Sequence, residues 1–210
     1  MNNLIKRVIF FILAAFFASS VLQNCRSNLE FYYKWNGFIL QVVDYSERLP
    51  IVLDTDKVID IETLGFQIVM TDTAWQVAQQ INFNLITECL AFQTDFLYHR
   101  LNNMVSITVK TIFDYSVDFP AGTDISALFE ARSFHSANMY EEFYSIDELI
   151  LFFNAITTER ESQKNNGFYL YLMDDACIGG QQKFEITIVL SDETVLIQQT
   201  DDLLLKVRDD

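Results

Sequence analysis

The 210-residue chain is poor in the residue types that most enzymes and nucleic-acid binders depend on. It has two histidines, three cysteines and two prolines. His99 and His135 have no partner at metal-ligand spacing, and HExxH and CxxC are both absent, which argues against a zinc metalloprotease. There is no phosphate loop and no dinucleotide fingerprint, and Gly179-Gly180 by itself reads as a turn. No Gly-x-Ser-x-Gly elbow occurs, although a Ser-His-Asp triad assembles at a distance and leaves no spacing to find. Basic residues are scarce too, with 14 Lys and Arg against 29 Asp and Glu and a net charge of −15. A surface of that sign repels phosphate backbones, so no nucleic-acid partner is expected. It suits solubility, a cationic partner or divalent cations. Pro- or Ser-rich stalks, low-complexity tracts and repeats of fixed period are also missing.

The first residues speak to the compartment. Lys6 and Arg7 precede an apolar run from Val8 to Leu22. A basic start, an apolar core and a processing site are the parts of a secretory signal. The run is shorter than the ~20 residues of a membrane-spanning helix. Leu22-Gln-Asn-Cys25 resembles the lipobox of bacterial lipoproteins, whose cysteine becomes the lipidated first residue of the mature protein. Leu22 is aliphatic, as that motif requires, whereas Asn24 stands where a small residue usually precedes the cysteine. Cleavage after Ala18-Ser-Ser20, giving a soluble exported protein, is the other reading. The expected division is a signal peptide over residues 1–24, a lipidated Cys25 with a short tether to residue 30, and one domain over 31–210. Acyl chains on Cys25 would hold the protein to a membrane through their buried methylenes. Loss of Lys6 and Arg7 leaves 12 basic residues against 29 acidic ones, a mature charge of −17. Two further cysteines remain, Cys89 and Cys177. In an oxidising compartment they either join in a disulfide closing a loop of about 90 residues, which constrains the unfolded chain by roughly 4 kcal/mol, or stay as two buried thiols.

Strand patterns dominate the rest of the chain. Phe31 to Tyr45 is aromatic and β-branched, with Phe38, Leu40 and Val42 alternating against Ile39, Gln41 and Val43, and a bend at Asn36-Gly37. Val58 to Ile61 reads as a short strand. In Leu64 to Thr71, Phe66, Ile68 and Met70 face one way. Trp75 to Leu101 is ambiguous, although Phe83, Leu85, Thr87 and Cys89 alternate. Val105, Ile107 and Val109 alternate again and lead to the Phe119-Pro-Ala-Gly122 turn. Ser145-Ile-Asp-Glu148 is a capping box, with Tyr144 and Leu149 placed as a hydrophobic staple. Ile146, Leu149, Ile150, Phe153 and Ile156 then recur at helical spacing, and the helix is expected to stop near Thr158. Strands come next at Phe168–Leu172, Lys183–Leu190, Thr194–Gln199 and around Leu203, Leu205 and Val207. Many short strands with one helix point to a mainly β fold, an antiparallel immunoglobulin-like β-sandwich with one capped helix inserted.

The run TIFDYSVDFPAGTDISALFEA, the capped helix and the ending KFEITIVLSDETVLIQQTDDLLL resemble an uncharacterised lipoprotein family of Gram-negative gut anaerobes that carries a domain of unknown function. Its members share a strand entering a Pro-Ala-Gly turn, a later Ser-x-x-Glu helix and a closing F-x-I-x-[IV]-x-LSD-G hairpin. Glu193 stands here where that family often has glycine. The similarity is good over about residues 104–207 and loose over 31–100. It implies an envelope lipoprotein of β-rich fold and no substrate.

Acids are the chemistry left to weigh. Asp114, Asp118 and Asp124 surround the Pro-Ala-Gly turn, and Asp174-Asp175 precede Cys177. Carboxylate hydrolysis needs two acids facing each other across a cleft, whereas acids at turns usually bond local N–H groups. Asp54-x-Asp56-x-x-x-Asp60-x-Glu62 lacks the glycine of a calcium hand loop, so the three turn acids, aided by the Pro120 and Ala121 carbonyls, are the better candidate cation ligands. No catalytic residue is assigned and no cofactor is expected. Phe31-Tyr-Tyr-Lys-Trp35 and Met139-Tyr-Glu-Glu-Phe-Tyr144 could form a platform for sugar or protein, although aromatic-rich strands more often build core. Asp72-Thr73-Ala74 resembles a short bacterial O-glycosylation motif.

The resulting expectation is an exported, lipid-anchored protein, periplasm-facing or on the outer-membrane surface. It would act as a non-enzymatic binding or scaffolding module for an unknown protein or glycan. A carbohydrate-active carboxylate hydrolase and a calcium-stabilised adhesion module are the alternatives.

Overall fold

A computed structural model describes residues 28–47, 50–53, 58–76, 95–134, 143–160, 166–173 and 177–207. The signal and Cys25, the acids Asp54 and Asp56, the Phe83–Cys89 alternation, His135 and Asp174-Asp175 lie outside the described residues.

A long first strand, β1 (Asn28–Asp44), runs through the middle of the largest sheet. On one side it pairs antiparallel with β4 (Leu64–Gln76), followed by β9 (Gly167–Leu172) and β7 (Phe129–Ser133). On the other it pairs parallel with β5 (Asp95–Arg100), then β8 (Thr158–Arg160), while β2 (Ile51–Val52) adds to its end. A second sheet is β12 (Val195–Gln199), β11 (Phe184–Leu190) and β6 (Met104–Thr111), all antiparallel. A third joins β10 (Gly180–Gln182), β13 (Leu203–Lys206) and β3 (Val58–Asp60), with β13 and β3 parallel. The described chain is thus a mainly β, sandwich-like fold of several antiparallel sheets with one helix, as the alternation predicts.

The core lies between the large sheet and the β6–β11–β12 sheet. Phe66, Ile68 and Met70 of β4 and Phe168, Leu170 and Leu172 of β9 are buried on one side, with Phe184, Ile186 and Ile188 of β11 opposite. The Phe66 and Phe184 rings meet with centroids 5.3 Å apart across the interior. Burying each such side chain stabilises the fold by about 1.5–3 kcal/mol.

Two β-bulges set which residues face inward. In β1 the register jumps between Trp35 and Gly37, so Asn36 is the extra residue. Inward positions are odd before it (Tyr33, Trp35) and even after it (Phe38, Val42). This is the predicted bend, and it switches which side of the strand is buried. In β6 the register jumps between Val189 and Leu190, leaving Val105 extra. Val105 is consequently 58% exposed while Met104 is buried, so the expected inward set begins at Met104 and resumes at Ile107. Next to each bulge, an asparagine side chain bonds both backbone groups of the residue that precedes the extra one. Asn102 bonds the Trp35 N–H and C=O. Asn154 bonds the Met104 N–H at 3.0 Å and C=O at 2.7 Å.

Asn154 belongs to α1 (Ile146–Ala155). The predicted capping box is present: the Ser145 hydroxyl accepts from the Glu148 N–H, and Glu148 accepts from the Ser145 N–H at 2.9 Å. Ile146, Leu149, Ile150 and Phe153 are buried on its inner face. The Tyr144 ring stacks on Phe152, 6.1 Å away. The helix ends at Ala155, before Thr158, because β8 begins there and pairs with β5.

The hairpin between β11 and β12 also arises from local chemistry. Glu193 N–H bonds Leu190 C=O, Leu190 N–H bonds Thr194 C=O, and Glu193 has φ of 65°. A three-residue loop of a type I turn followed by a left-handed residue is one of the common hairpin closures.

Candidate functional site

The Pro-Ala-Gly turn is organised around the buried Tyr115, which is 0% exposed. Its N–H bonds Phe119 C=O and its C=O accepts from Ile178. Gly122 has φ of +82° and sends its N–H to Thr111 C=O, a left-handed conformation that glycine adopts without a Cβ penalty. Asp114 Oδ1 accepts from the Ala121 N–H at 2.8 Å. Asp124 Oδ1 accepts from the Ser126 N–H at 2.9 Å and from its hydroxyl at 2.5 Å. Asp118 is exposed. Asp114 and Asp124 therefore sit on separate local bonds. Among the described residues, no three His, Cys, Asp or Glu side chains gather to hold a metal ion. Asp60 likewise caps a single 3-10 turn through the Glu62 N–H.

Cys177 is buried, and its Sγ accepts from the Gly179 N–H at 3.4 Å. Its suggested partner Cys89 lies outside the described residues.

A buried polar group that sequence patterns did not single out sits where β1, β5 and β8 meet α1. The Arg100 guanidinium lies 4.3 Å from the centroid of the Trp35 ring and donates to the Phe153 C=O in the last turn of α1. A cation there also meets the negative end of the helix dipole. Tyr33 and the buried Glu159 flank it. Burial lowers the Arg100 pKa from its ordinary value, opposed by the nearby Tyr33 and Glu159. Burial, reinforced by Glu159, pushes the Tyr33 phenol up to about 12, so it stays protonated at neutral pH. The group ties the helix C-terminus to the sheet. Its signal was present in the sequence: Phe96, Tyr98 and Arg100 alternate, which places Arg100 on the aromatic side of the strand. His99, on the opposite side, stacks on Tyr32 and bonds Thr158 Oγ1 through Nδ1 at 3.1 Å.

The aromatic segments divide between core and surface. Tyr33 and Trp35 are buried inside, whereas Phe143 is 46% exposed on the outer face of the large sheet. There it belongs to a continuous layer of rings. Tyr171 meets Tyr45 at 4.8 Å, Phe143 at 5.6 Å and Tyr169 at 5.8 Å, and Tyr169 meets Phe134 at 4.7 Å. The strand registers line up Arg132, Tyr169, Gln67 and Gln41 in one row, and Glu130, Tyr171, Gly65 and Val43 in the next. Gly167 is required beside them, since a Cβ there would run into the Phe134 ring. The Arg132 guanidinium lies 4.9 Å from the Phe143 ring centroid. Burial pushes the Tyr171 phenol up to about 12, against the lowering effect of Arg132. Tyr45 donates to Leu172 C=O at 2.8 Å, and burial, then Glu62 and Glu130, raise its pKa. Tyr171 at the centre is buried, and the exposed Phe143 and Gln41 with the half-buried Tyr45, Phe134, Tyr169, Gln67 and Glu130 make up the solvent-facing part, a mixture of rings, amides and a carboxylate that suits a binding surface. Sequence periodicity did not find it, because its members come from β1, β4, β7, β9 and the residues just before α1.

The described helix is not long and apolar enough to cross a membrane. No family model matches the chain, and a comparison with curated proteins finds no match. A solved structure titled BspA_C_mut aligns with 80% of this chain and 46% of its own, at 9% identity and a TM-score of 0.23. The aligned part is thus about half of that protein, and a likeness at this level carries no argument about fold or function.

Proposed function

We propose that this protein is an exported, lipid-anchored module of the cell envelope that binds or scaffolds a partner and performs no reaction of its own. The observation that carries the binding half is the aromatic layer on the outer face of the large sheet. Four rings at least partly open to solvent, Tyr45, Phe134, Phe143 and Tyr169, are linked by ring contacts to one another or to the buried Tyr171, with amide and carboxylate neighbours beside them. Export and anchoring are supported by the sequence: Lys6-Arg7, the apolar run to Leu22, and Cys25 in a lipobox-like setting. The resemblance to envelope lipoproteins of Gram-negative gut anaerobes supports the same compartment. Asp114 and Asp124 act locally in this reading, fixing loops rather than reacting.

Expression in a Gram-negative host, followed by membrane fractionation and intact-mass measurement, tests the anchor. The wild-type chain is expected in the membrane fraction with the added mass of acyl chains. Cys25→Ala is expected to lose both, and a variant that keeps the same fractionation and shows no mass difference from acylation would sink the proposal.

A further inference from the structure

We infer that the end of the large sheet where β1 and β5 begin rests on the lipid surface, with the Phe31 and Phe96 rings in the headgroup layer of a zwitterionic bilayer. The inference rests on the lipid-anchor reading and supplies the surface that the anchored chain turns to the membrane. Chain length carries it. Only Arg26 and Ser27 stand between Cys25 and Asn28, the first residue of β1. Three residue steps span about 10 Å at most, so acyl chains on Cys25 hold that end of β1 at the headgroups. β5 starts at the same end, because it runs parallel to β1 with Asn28 beside Asp95 and Phe31 beside Tyr98. Rings gather there: Phe31 meets Phe96 at 5.9 Å and Tyr98 at 5.2 Å. Phe31 lies on the same side of β1 as Tyr33 and Trp35, which are each 1% exposed, yet Phe31 and Phe96 are only half-buried. The core thus thins towards the anchored end and leaves rings partly open. Aromatic rings of this kind partition into the boundary between headgroups and hydrocarbon. With 29 acidic residues against 14 basic ones, the chain is repelled by anionic lipid and suits a zwitterionic surface. From there β1 leads away from the membrane. Val43, in the same row as Tyr171 of the outer aromatic face, lies about 40 Å of strand beyond Phe31.

The acylated chain in phosphatidylcholine nanodiscs tests this, with lipid brominated high on its acyl chains as a tryptophan quencher. Intact mass first establishes acylation. Phe31→Trp is expected to add fluorescence that the brominated lipid quenches by at least half. Ile39→Trp, at a 52% exposed position on the same strand, is expected to add fluorescence that escapes quenching, since it stands about 26 Å further along. Phe96→Gln in the Phe31→Trp chain should reduce the quenching while the far-ultraviolet circular dichroism stays the same. Hydroxyl-radical footprinting needs no substitution among the rings. Phe31 and Phe96 should be modified less in the anchored wild type than in soluble Cys25→Ala, and Phe143 equally in both. Equal quenching at positions 31 and 39 would lay the sheet flat on the membrane, and none at either would hold it clear; both overturn the inference. Identical footprints in the two forms overturn it as well, as does a folded Phe96→Gln variant with full quenching, which leaves closeness imposed by the tether alone. A chain that carries acyl mass and fails these tests keeps its anchor and loses this inference. A chain without acyl mass loses the anchor reading, and the inference with it.

Discussion

The side chain of Asn102 stands in for a neighbouring strand beside Trp35. Its Oδ1 accepts from the Trp35 N–H and its Nδ2 donates to the Trp35 C=O, both at 3.0 Å, and the residue is 1% exposed. The pairing of β1 with β5 ends at Tyr33 and Arg100, and one amide just beyond it serves both backbone groups of Trp35. Asn102→Ala leaves two buried backbone groups unpaired. At about 1–3 kcal/mol for each unsatisfied group, the expected loss is about 2–6 kcal/mol in urea unfolding. Asn103→Ala, next door and less buried, is expected within about 0.5 kcal/mol of wild type.

Glu193 occupies a backbone conformation better suited to glycine, with φ of 65° at the β11–β12 hairpin. Glu193→Gly relieves roughly 1–2 kcal/mol of left-handed strain, against about 0.4–1 kcal/mol from the freer unfolded chain. A net gain of about 0.5–1 kcal/mol is expected, read as a raised melting temperature. Glu193→Val, β-branched at a positive φ, is expected to lower it.

Alkaline titration separates the buried phenols from the rest. Tyr33 and Tyr171 are pushed up to about 12 from 10.0, mainly by burial. Below pH 10 both residues are protonated whether the chain is folded or not, so neither contributes a pH dependence. Above it the unfolded chain gives up these protons first, and stability falls as pH rises from 10 through 12. Phenolate absorbance should show Tyr33 and Tyr171 among the last of the nine tyrosines to ionise, and Tyr33→Phe and Tyr171→Phe should each remove part of the late rise.

The cap of α1 has the opposite sign. Glu148 is held below its ordinary 4.5 by the Ser145 N–H and then by the Ser145 hydroxyl. A depressed carboxyl contributes stability that is fully present above the unfolded pKa of 4.5 and is lost as pH falls through the folded value. Hydrogen-exchange protection at the start of α1, referenced to the intrinsic rate at each pH, should fall over that acidic range. Glu148→Ala should flatten the dependence, and Ser145→Ala should cost about 1 kcal/mol at neutral pH.

Much of this architecture is legible where one signal acts over a few residues. The capping box at Ser145, the alternation of Phe66, Ile68 and Met70, and the bend at Asn36 all come from local chemistry. Val105 shows where that stops: its alternation with Ile107 looks regular, and only pairing against β11 reveals the extra residue. The two parallel pairings were equally hidden, since β1 with β5 and β3 with β13 join segments that no turn links. The outer aromatic face was half visible. Phe143 belongs to an aromatic run plain in the sequence, whereas Tyr45, Tyr169 and Tyr171 join it through registers that the sequence does not display.

The β3–β13 pairing fixes when this fold can be completed. Residues 58–60 find their partner strand at 204–206, and β10 takes the other edge of the same strand. A ribosome that has not yet released residue 206 therefore holds a chain whose smallest sheet has no middle. Pairings so far apart in sequence are slow to form and reward the chain late. Residues 58–60 and 180–182 wait, through the making of everything between, for the one strand that joins them.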